Sequence, residues 1–285
     1  MDTPSSPADA IDHRSMPEHP VQGDTSRPVV VRRTSYSNRH HIEPHWHARA
    51  QFIYALEGTM TVRARRRAWI VPPSRALWVP AHTVHEIRMY GVVEMRSVYV
   101  DTAAAAGMPT ACVVLEVTPL LRELVVRAVA LPAGYEDDGD DGLLMRLLMA
   151  EMRRLPQCAL DLPLPESADL MALCERILAD LSTRRPCIAD ASHMNTTTRT
   201  LYRRFLKETG ITFARWKQQA RLLESIRRLA EGAPVTAVAI DLGYESASAF
   251  STMFRRSLGI APRAFIGHGE MRGRTHPASI GARVA

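Results

Sequence analysis

The chain of 285 residues is long enough for two domains, because compact domains mostly contain about 100 to 200 residues. A composition of 46% hydrophobic and 23% charged residues excludes a fibrous, low-complexity or wholly disordered protein. Its net charge of +6 favours a polyanionic partner such as nucleic acid. The four dispersed cysteines contain no CxxC pair, which argues against a zinc ribbon or a disulfide scaffold.

The two ends of the chain are polar. The N-terminal sequence MDTPSSPADAIDHRSM lacks the apolar segment of a secretory signal, and no run approaches the roughly 18 apolar residues of a membrane span. We therefore expect a cytoplasmic protein with no membrane partner. Residues 1–27 and 269–285 show no hydrophobic period, and we predict a disordered leader and a flexible tail there.

Residues 28–105 carry the pattern of a β domain. Short apolar or alternating runs such as QFIYAL, TMTVRA and RSVYV are separated by turn residues that include Gly58 and Gly91. Regularly spaced short strands of this kind are typical of a sandwich or a barrel. We predict an all-β domain of the jelly-roll type over these residues.

Helical periodicity follows the β domain. The segments TPLLRELVVRAVALP and LLMRLLMAEMRRL both place apolar residues at helical spacing, on either side of an acidic loop. We predict a helical linker over residues 106–165, and its apolar stripes are wide enough to form a homodimer interface as well. Residues 166–268 continue as an all-α domain, so the predicted fold class is α+β in two domains.

The clearest local pattern lies in PVTAVAIDLGYESASAFSTMFRRSLGIAPRAF. A first helix ends at Gly243, and Ser246 caps a second helix that turns Phe250 and Phe254 inward. The opposite face offers hydroxyl and guanidinium groups, as a helix in the DNA major groove requires. An ordinary helical hairpin with a solvated polar face is the alternative interpretation.

A similar unit precedes it in TTTRTLYRRFLKETGITF, where Leu201 and Phe205 face inward and Gly210 ends the helix. The helix predicted from Phe213 to about Glu231 joins the two helix-turn-helix units. Its length of roughly 28 Å suits two readers placed in successive major grooves, which lie roughly 34 Å apart. Residues 183–266 hold 14 basic and 6 acidic side chains, so the positive charge of the chain belongs to this region.

The tandem of helical pairs resembles the DNA-binding domain of the AraC/XylS transcription regulators. The resemblance rests on TLYRRFLKETG, FARWKQQARL and AIDLGYESASAFSTMFRRSLGIAPRAF, and it covers roughly residues 168–268. It implies that the partner is double-stranded DNA of a promoter or operator, and that the second helix of each unit reads bases. The predicted DNA-binding residues are Arg199, Tyr202, Arg203, Arg204, Lys207, Ala247, Ser248, Ser251, Thr252, Arg255 and Arg256.

The side chains at these positions predict that the two recognition helices contribute unequally to base recognition. Arginine binds guanine through two hydrogen bonds, whereas Ala247 and Ser248 offer only a methyl or a hydroxyl contact. Arg255 and Arg256 are better suited to phosphate. The stretch NTTTRT before Leu201 is two residues longer than the turn usual in the family, so the start of the first recognition helix departs from the family pattern.

The β domain contains histidines with the spacing of metal ligands. His45 and His47, two apart on one strand, point to the same face, and His85 follows in VPPSRALWVPAHTVHEI. These segments resemble the two sequence motifs of the cupin family. Gln51 stands where that family has a carboxylate ligand, and His82 replaces a turn glycine. A divalent metal such as Zn, Ni or Fe, an organic effector, and a structural role are three open interpretations of His45, His47, Gln51 and His85.

These features together predict a one-component transcription regulator and no enzyme activity. A cupin-like sensor domain would respond to a small molecule or a metal, and an AraC-type domain would read adjacent major grooves. RNA polymerase is a further expected partner. The alternative is a metal-dependent cupin enzyme that carries a DNA-binding domain, and Gln51 counts against it. The other histidines, His19 among them, are assigned to surface or loop positions.

Overall fold

The computed structural model describes residues 16–21, 26–132, 134–158, 160–182 and 196–265. Within these ranges a β-sandwich lobe precedes a helical lobe, which confirms the predicted α+β class. Three predicted features lie outside the described residues. They are residues 1–15 of the leader predicted over 1–27, the first helix of the first helix-turn-helix unit near residues 187–195, and the tail from residue 269. Residues 16–21 of the predicted disordered leader are instead hydrogen-bonded to Trp46 of the sandwich, through main-chain groups that leave no periodic pattern in the sequence.

The described part of the sandwich is built from strands in two antiparallel sheets. The strands are β1 (Val29–Tyr36), β2 (His41–His45), β3 (Ala50–Ala55), β4 (Thr59–Ala64), β5 (Arg67–Val71), β6 (Arg75–Val79), β7 (His85–Tyr90), β8 (Val93–Val100), β9 (Val113–Glu116), β10 (Gln157–Cys158) and β11 (Asp161–Pro163). One sheet has the order β1-β8-β3-β6-β9-β10, and the other has the order β11-β5-β4-β7-β2. This arrangement agrees with the predicted jelly-roll type of sandwich.

The strand β3 is buried on both faces. Its residue Ile53 packs into the core between the sheets, while Phe52 and Tyr54 belong to a second core on the other side of the same sheet. Two helices, α1 (Pro119–Ala128) and α2 (Asp140–Arg154), cover that second face. Covering on both sides explains why FIYAL, after Gln51, is an unbroken apolar run rather than an alternating one.

The region predicted as a helical linker, 106–165, also contributes strands to the sandwich. It contains α1 and α2, but β9 and β10 extend the six-stranded sheet and β11 pairs with β5 at the edge of the other sheet. The sandwich therefore continues to Pro163, beyond the boundary of 105 expected from the sequence. These strands have two to four residues, too few to show a periodic pattern, and their pairing depends on neighbours that are distant in sequence.

The helical lobe contains α3 (Ala168–Ala179), α4 (Thr198–Thr209), α5 (Phe213–Ala230), α6 (Val235–Asp241) and α7 (Ala247–Leu258). The predicted inward residues of α4 and α7 are buried in one hydrophobic core with Phe213 and Trp216 of α5, and the ring of Phe205 on α4 contacts both of these aromatic rings. Among the described helices, none combines the length and the apolar character that a membrane crossing requires.

The two lobes touch along the edge strand β11. Trp216 of α5 donates a hydrogen bond from Nε1 to the main-chain oxygen of Pro163 at 2.7 Å, and Gln219 donates to the oxygen of Asp161. The guanidinium of Arg227 lies 5.3 Å from the ring centre of Tyr90 on β7. The connecting helix of the helical lobe is thus bonded directly to a strand of the sandwich.

Candidate metal centre and nucleic-acid interface

The three predicted histidines meet between the two sheets. His45 ends β2 and His85 begins β7, and these two residues are partners in the strand register. His47 follows His45 by two residues, as the strand period requires. The exposed fractions of the three side chains are 3%, 5% and 2%, and their candidate ligand nitrogens all lie within 4.8 Å of one another. The structure therefore brings three imidazoles to one point.

Hydrogen bonds orient each ring. In every case Nδ1 lies beside a main-chain oxygen: that of Glu43 for His45 at 2.7 Å, of His19 for His47 at 2.5 Å and of Thr83 for His85 at 2.9 Å. Because a carbonyl oxygen only accepts, the neutral rings of His45 and His47 carry their proton on Nδ1 and present a lone pair on Nε2, whereas His85 has a second oxygen acceptor beside its Nε2. The Nε2 atom of His47 is buried and has no hydrogen-bond partner among the described residues.

Gln51 completes the polar interior of this site. It lies on β3 with its side chain between the sheets, and its amide nitrogen donates to Ser97 Oγ at 3.0 Å and to Tyr99 Oη at 3.2 Å. Its amide oxygen lies 3.1 Å from Nε2 of His85. The residue in the position of the cupin carboxylate is thus a neutral oxygen donor aimed at the histidines.

The site keeps its imidazoles uncharged. Burial, together with the nearby imidazole of His45, lowers the pKa of His47 to about 4 and that of His85 to about 3. Burial also lowers the pKa of His45. Near neutral pH all three rings are neutral, which is the form that binds a metal ion.

The recognition helix of the first unit is α4. Thr197 caps it by accepting a hydrogen bond from the amide of Thr200 at 3.2 Å, and Gly210 ends it with a φ of 74°. The predicted DNA-binding residues Arg199, Tyr202, Arg203 and Lys207 are exposed on its outer face. The long turn ahead of α4 falls partly among residues that the structure does not describe.

Arg204, also predicted to bind DNA, turns toward the start of α3 instead. Its guanidinium pairs with Asp169 at 2.8 Å and donates to Ser167 Oγ at 3.2 Å. Glu208, one turn further along α4, accepts hydrogen bonds from the amides of Glu166 and Ser167 at 2.8 and 2.9 Å. The inner edge of α4 is therefore anchored to α3 by charged groups.

The recognition helix of the second unit is α7. Ser246 accepts a hydrogen bond from the amide of Ala249 at 3.1 Å, which confirms the predicted cap. Gly243 ahead of it has a φ of +74°, and a Cβ atom there would lie 2.5 Å from the oxygen of Ser182. The predicted residues Ser248, Thr252, Arg255 and Arg256 are exposed, while Ala247 and Ser251 are half-buried.

Comparisons with known proteins agree with this two-lobe arrangement. The family described as AraC-like ligand binding domain matches residues 27–194, and a helix-turn-helix domain family matches residues 191–267. The HTH-type transcriptional regulator NimR of Escherichia coli K12 is 31% identical over 222 residues, which cover 78% of this chain and 81% of NimR. The chain belongs to the AraC family of transcription regulators. It therefore combines a ligand-binding domain with a helix-turn-helix DNA-binding domain.

Solved structures of two other proteins are also similar to this chain. ToxT from Vibrio cholerae O395 is 10% identical, with a TM-score of 0.36 and coverage of 85% of this chain and 98% of ToxT. The DNA-binding domain of AdpA, solved with a target DNA, is 28% identical over 38% of this chain and 99% of that domain, with a TM-score of 0.35.

Three contacts of this AraC-family chain were not predicted from the sequence. His19, assigned to a loop, lies beside the histidine site, and its ring centre is 4.6 Å from that of His45. Tyr99 contacts both Gln51 and the ring of His47. Asp169 holds Arg204. Each of these residues is distant in sequence from its partner and carries no motif, so only strand alternation at Tyr99 offered a signal.

Proposed function

We propose that this regulator binds a specific site in double-stranded DNA with α4 and α7, and that an effector in the sandwich lobe changes this binding. The observation that supports it is the pair of exposed polar helix faces, each opposite a buried aromatic face. Such a protein acts in the cytoplasm with promoter DNA, and RNA polymerase is a further partner. Catalysis is not part of this proposal.

The exposed side chains fall into two groups, those placed to contact base edges and those placed to contact phosphates. Arg199, Tyr202 and Arg203 are at the start and middle of α4, where recognition helices contact base edges. Ser248 and Thr252 hold the matching positions on α7, and Ala247 offers a methyl group for a thymine. Lys207, Arg255 and Arg256 lie further along the two helices and suit phosphate oxygens. Ser251, half-buried and next to Thr252, offers a hydroxyl to the same backbone. Arg204 is proposed to position α4 through Asp169.

The spacing of the two readers makes a testable prediction. The connecting helix α5 has 18 residues and is about 27 Å long, close to one turn of B-DNA. Selection of bound duplexes from a random pool should therefore yield two preferred sequence blocks about 10 base pairs apart, the one read by α4 being the stronger. One block alone, or enrichment without any sequence preference, would contradict the proposal.

We further propose that His45, His47 and His85 hold a divalent metal ion. The orphaned Nε2 of His47 and the three outward-bonded Nδ1 atoms are the observations that support it. Imidazole ligands favour borderline ions such as Zn, Ni or Fe, and the outer carbonyl oxygens orient the rings as in known metal sites. A bound ion would act as an effector, or would polarise an organic one.

The metal proposal is tested by elemental analysis of the purified protein. We expect about one metal ion per chain in the wild type and in His40→Ala, and a sharp loss in His47→Ala, because a three-histidine site loses a ligand. His40 is a fair control because it is exposed and belongs to no ligand cluster among the described residues. A metal-free wild type, or an unchanged metal content in His47→Ala, would rule the site out.

An enzyme with the same ligands is the alternative function. Its metal would need the charge balance that a carboxylate ligand supplies, and the position is held by Gln51, whose neutral amide is fixed by Ser97 and Tyr99. A sensor needs only that the ligand binds one arrangement of the lobes better than another. The bonds from α5 to β11 offer a route between the sandwich and the readers.

We also propose that the regulator is a homodimer through α1 and α2. Leu143 and Leu147 of α2 are 56% and 45% exposed, one turn apart, and Leu120 of α1 is 49% exposed. Apolar side chains repeated along one helix can pack against the same face of a second copy, as twofold symmetry requires.

Light scattering is expected to report twice the chain mass for the wild type. Leu147→Glu should shift the protein toward the monomer, because it places a charge in an apolar contact. Ile240→Glu makes the same kind of change at a residue of the helical lobe that is 69% exposed, and it should leave the mass unchanged. A monomeric wild type would disprove the proposed dimer.

A further inference from the structure

A short N-terminal segment lies across the histidine site. Residues 16–21, called here the strap, run beside Trp46. The amide of His19 donates to the oxygen of Trp46 at 2.9 Å, the amide of Trp46 donates to the oxygen of Pro17 at 3.3 Å, and the indole of Trp46 donates to the oxygen of Met16 at 2.9 Å. Three hydrogen bonds thus hold the strap to the residue between His45 and His47.

The strap is also part of the hydrogen bonding of the site itself. The oxygen of His19 accepts the bond from Nδ1 of His47, so this oxygen sets the tautomer that leaves Nε2 of His47 free. Partners of this kind orient metal-binding histidines, and changing them commonly lowers metal affinity about 10- to 100-fold. The strap therefore positions one of the three proposed ligands.

The imidazole of His19 lies beside the cluster. Its ring centre is 4.6 Å from that of His45 and 6.4 Å from that of His47. The residue is exposed, so its side chain can rotate about the Cα–Cβ bond while the main chain stays bonded to Trp46. A rotation is needed, because the His19 nitrogens are not among the ligand atoms that already lie within 4.8 Å of one another.

We propose that His19 is the fourth ligand of a divalent ion at His45, His47 and His85, and that the ion fastens the strap to the sandwich. This inference rests on the metal proposed above. Three imidazoles leave one position of a tetrahedral site open, and no carboxylate belongs to the ligand cluster of the described chain. The Gln51 oxygen beside His85 is a neutral carbonyl, a weaker ligand than imidazole for ions of this class. A fourth imidazole fills the open position without adding charge. The class of ion is one that prefers nitrogen ligands, such as Zn²⁺, Ni²⁺ or Co²⁺.

The test uses the full-length protein, stripped with a chelator and titrated with Co²⁺, whose visible absorption reports the number and geometry of its ligands. The variants are His19→Ala, which removes the imidazole but keeps the oxygen that bonds His47, and His40→Ala as the matched control. We expect the wild type and His40→Ala to give the same four-coordinate spectrum. His19→Ala should bind Co²⁺ about tenfold more weakly or worse, with a changed spectrum.

A second measurement separates a ligand from a residue that merely packs. Amide hydrogen exchange at His19 and Trp46 should slow when Zn²⁺ is added to the wild type, because the ion fastens the strap, and should respond much less in His19→Ala. If His19→Ala matches the wild type in Co²⁺ affinity and spectrum, His19 is not a ligand and the three-histidine site stands alone. If the wild type takes up no Co²⁺, the metal proposal itself fails, and this inference fails with it.

Discussion

Replacement of Arg203 by alanine is expected to weaken specific DNA binding by about 1 to 3 kcal/mol, which is roughly 5- to 150-fold in the dissociation constant. Arg203 is exposed on the outer face of α4, and a guanidinium can donate two hydrogen bonds to the O6 and N7 atoms of a guanine. Ser248, near the start of α7, has only one hydroxyl to offer. Ser248→Ala should therefore cost less than about 1 kcal/mol.

Arg88→Ala is the matched control for this experiment. Arg88 is an exposed arginine on β7 of the sandwich lobe, so the substitution removes the same charge outside the two recognition helices. Titration of each variant against the selected duplex and a scrambled duplex, at one fixed salt concentration, gives the specific loss. Equal losses for Arg203→Ala and Ser248→Ala would overturn the proposal of unequal readers. A loss as large in Arg88→Ala would place the effect outside the recognition helices.

The metal-free protein should lose stability steeply as the pH is lowered below 6.5. In the folded chain burial lowers the pKa of His47 to about 4 and that of His85 to about 3, from an ordinary value of 6.5. Between those values the unfolded chain binds protons that the folded chain does not. The free energy of unfolding therefore falls with decreasing pH, by up to about 1.4 kcal/mol per pH unit for each histidine.

Urea unfolding of chelator-treated protein between pH 8 and pH 4 measures this slope. Carboxylates add their own pH dependence, so the informative quantity is the difference between variants. His85→Gln should flatten the profile between pH 6.5 and 4, because its side chain no longer takes up a proton on unfolding. His40→Gln, at an exposed position, should leave the profile unchanged. A profile for His85→Gln that parallels the wild type would mean that His85 is not held neutral by burial.

Much of the helical lobe could be predicted from its sequence. The inward positions of α4 and α7, the cap at Ser246 and the ends at Gly210 and Gly243 all follow from helical period and from the conformational preferences of single residues. These are local rules, and each acts within a few residues. The direction of Arg204 was not predictable, because its partner Asp169 lies on another helix 35 residues away.

In the sandwich lobe, too, some features could be predicted from the sequence and others could not. The spacing of His45 and His47 on one strand indicated a shared face, and the cupin-like second motif pointed to His85. The strands β9 to β11 did not show in the sequence, because they are short and depend on pairing: β9 with β6, β10 with β9 and β11 with β5. His19 had no signal at all, since the strap binds the site through main-chain groups that every sequence has.

The sequence by itself determined that this chain has a β lobe and a basic helical lobe with two readers, and which histidines could share a pocket. Periodicity, turn residues and net charge carry that information, because they depend on side-chain chemistry at fixed short spacings. Only the tertiary structure decided which Nε2 atoms are left without a proton, that Arg204 anchors a helix and that the strap reaches the site. Those features depend on contacts between distant segments, whose distances and hydrogen bonds exist only after the two sheets and the helices have packed.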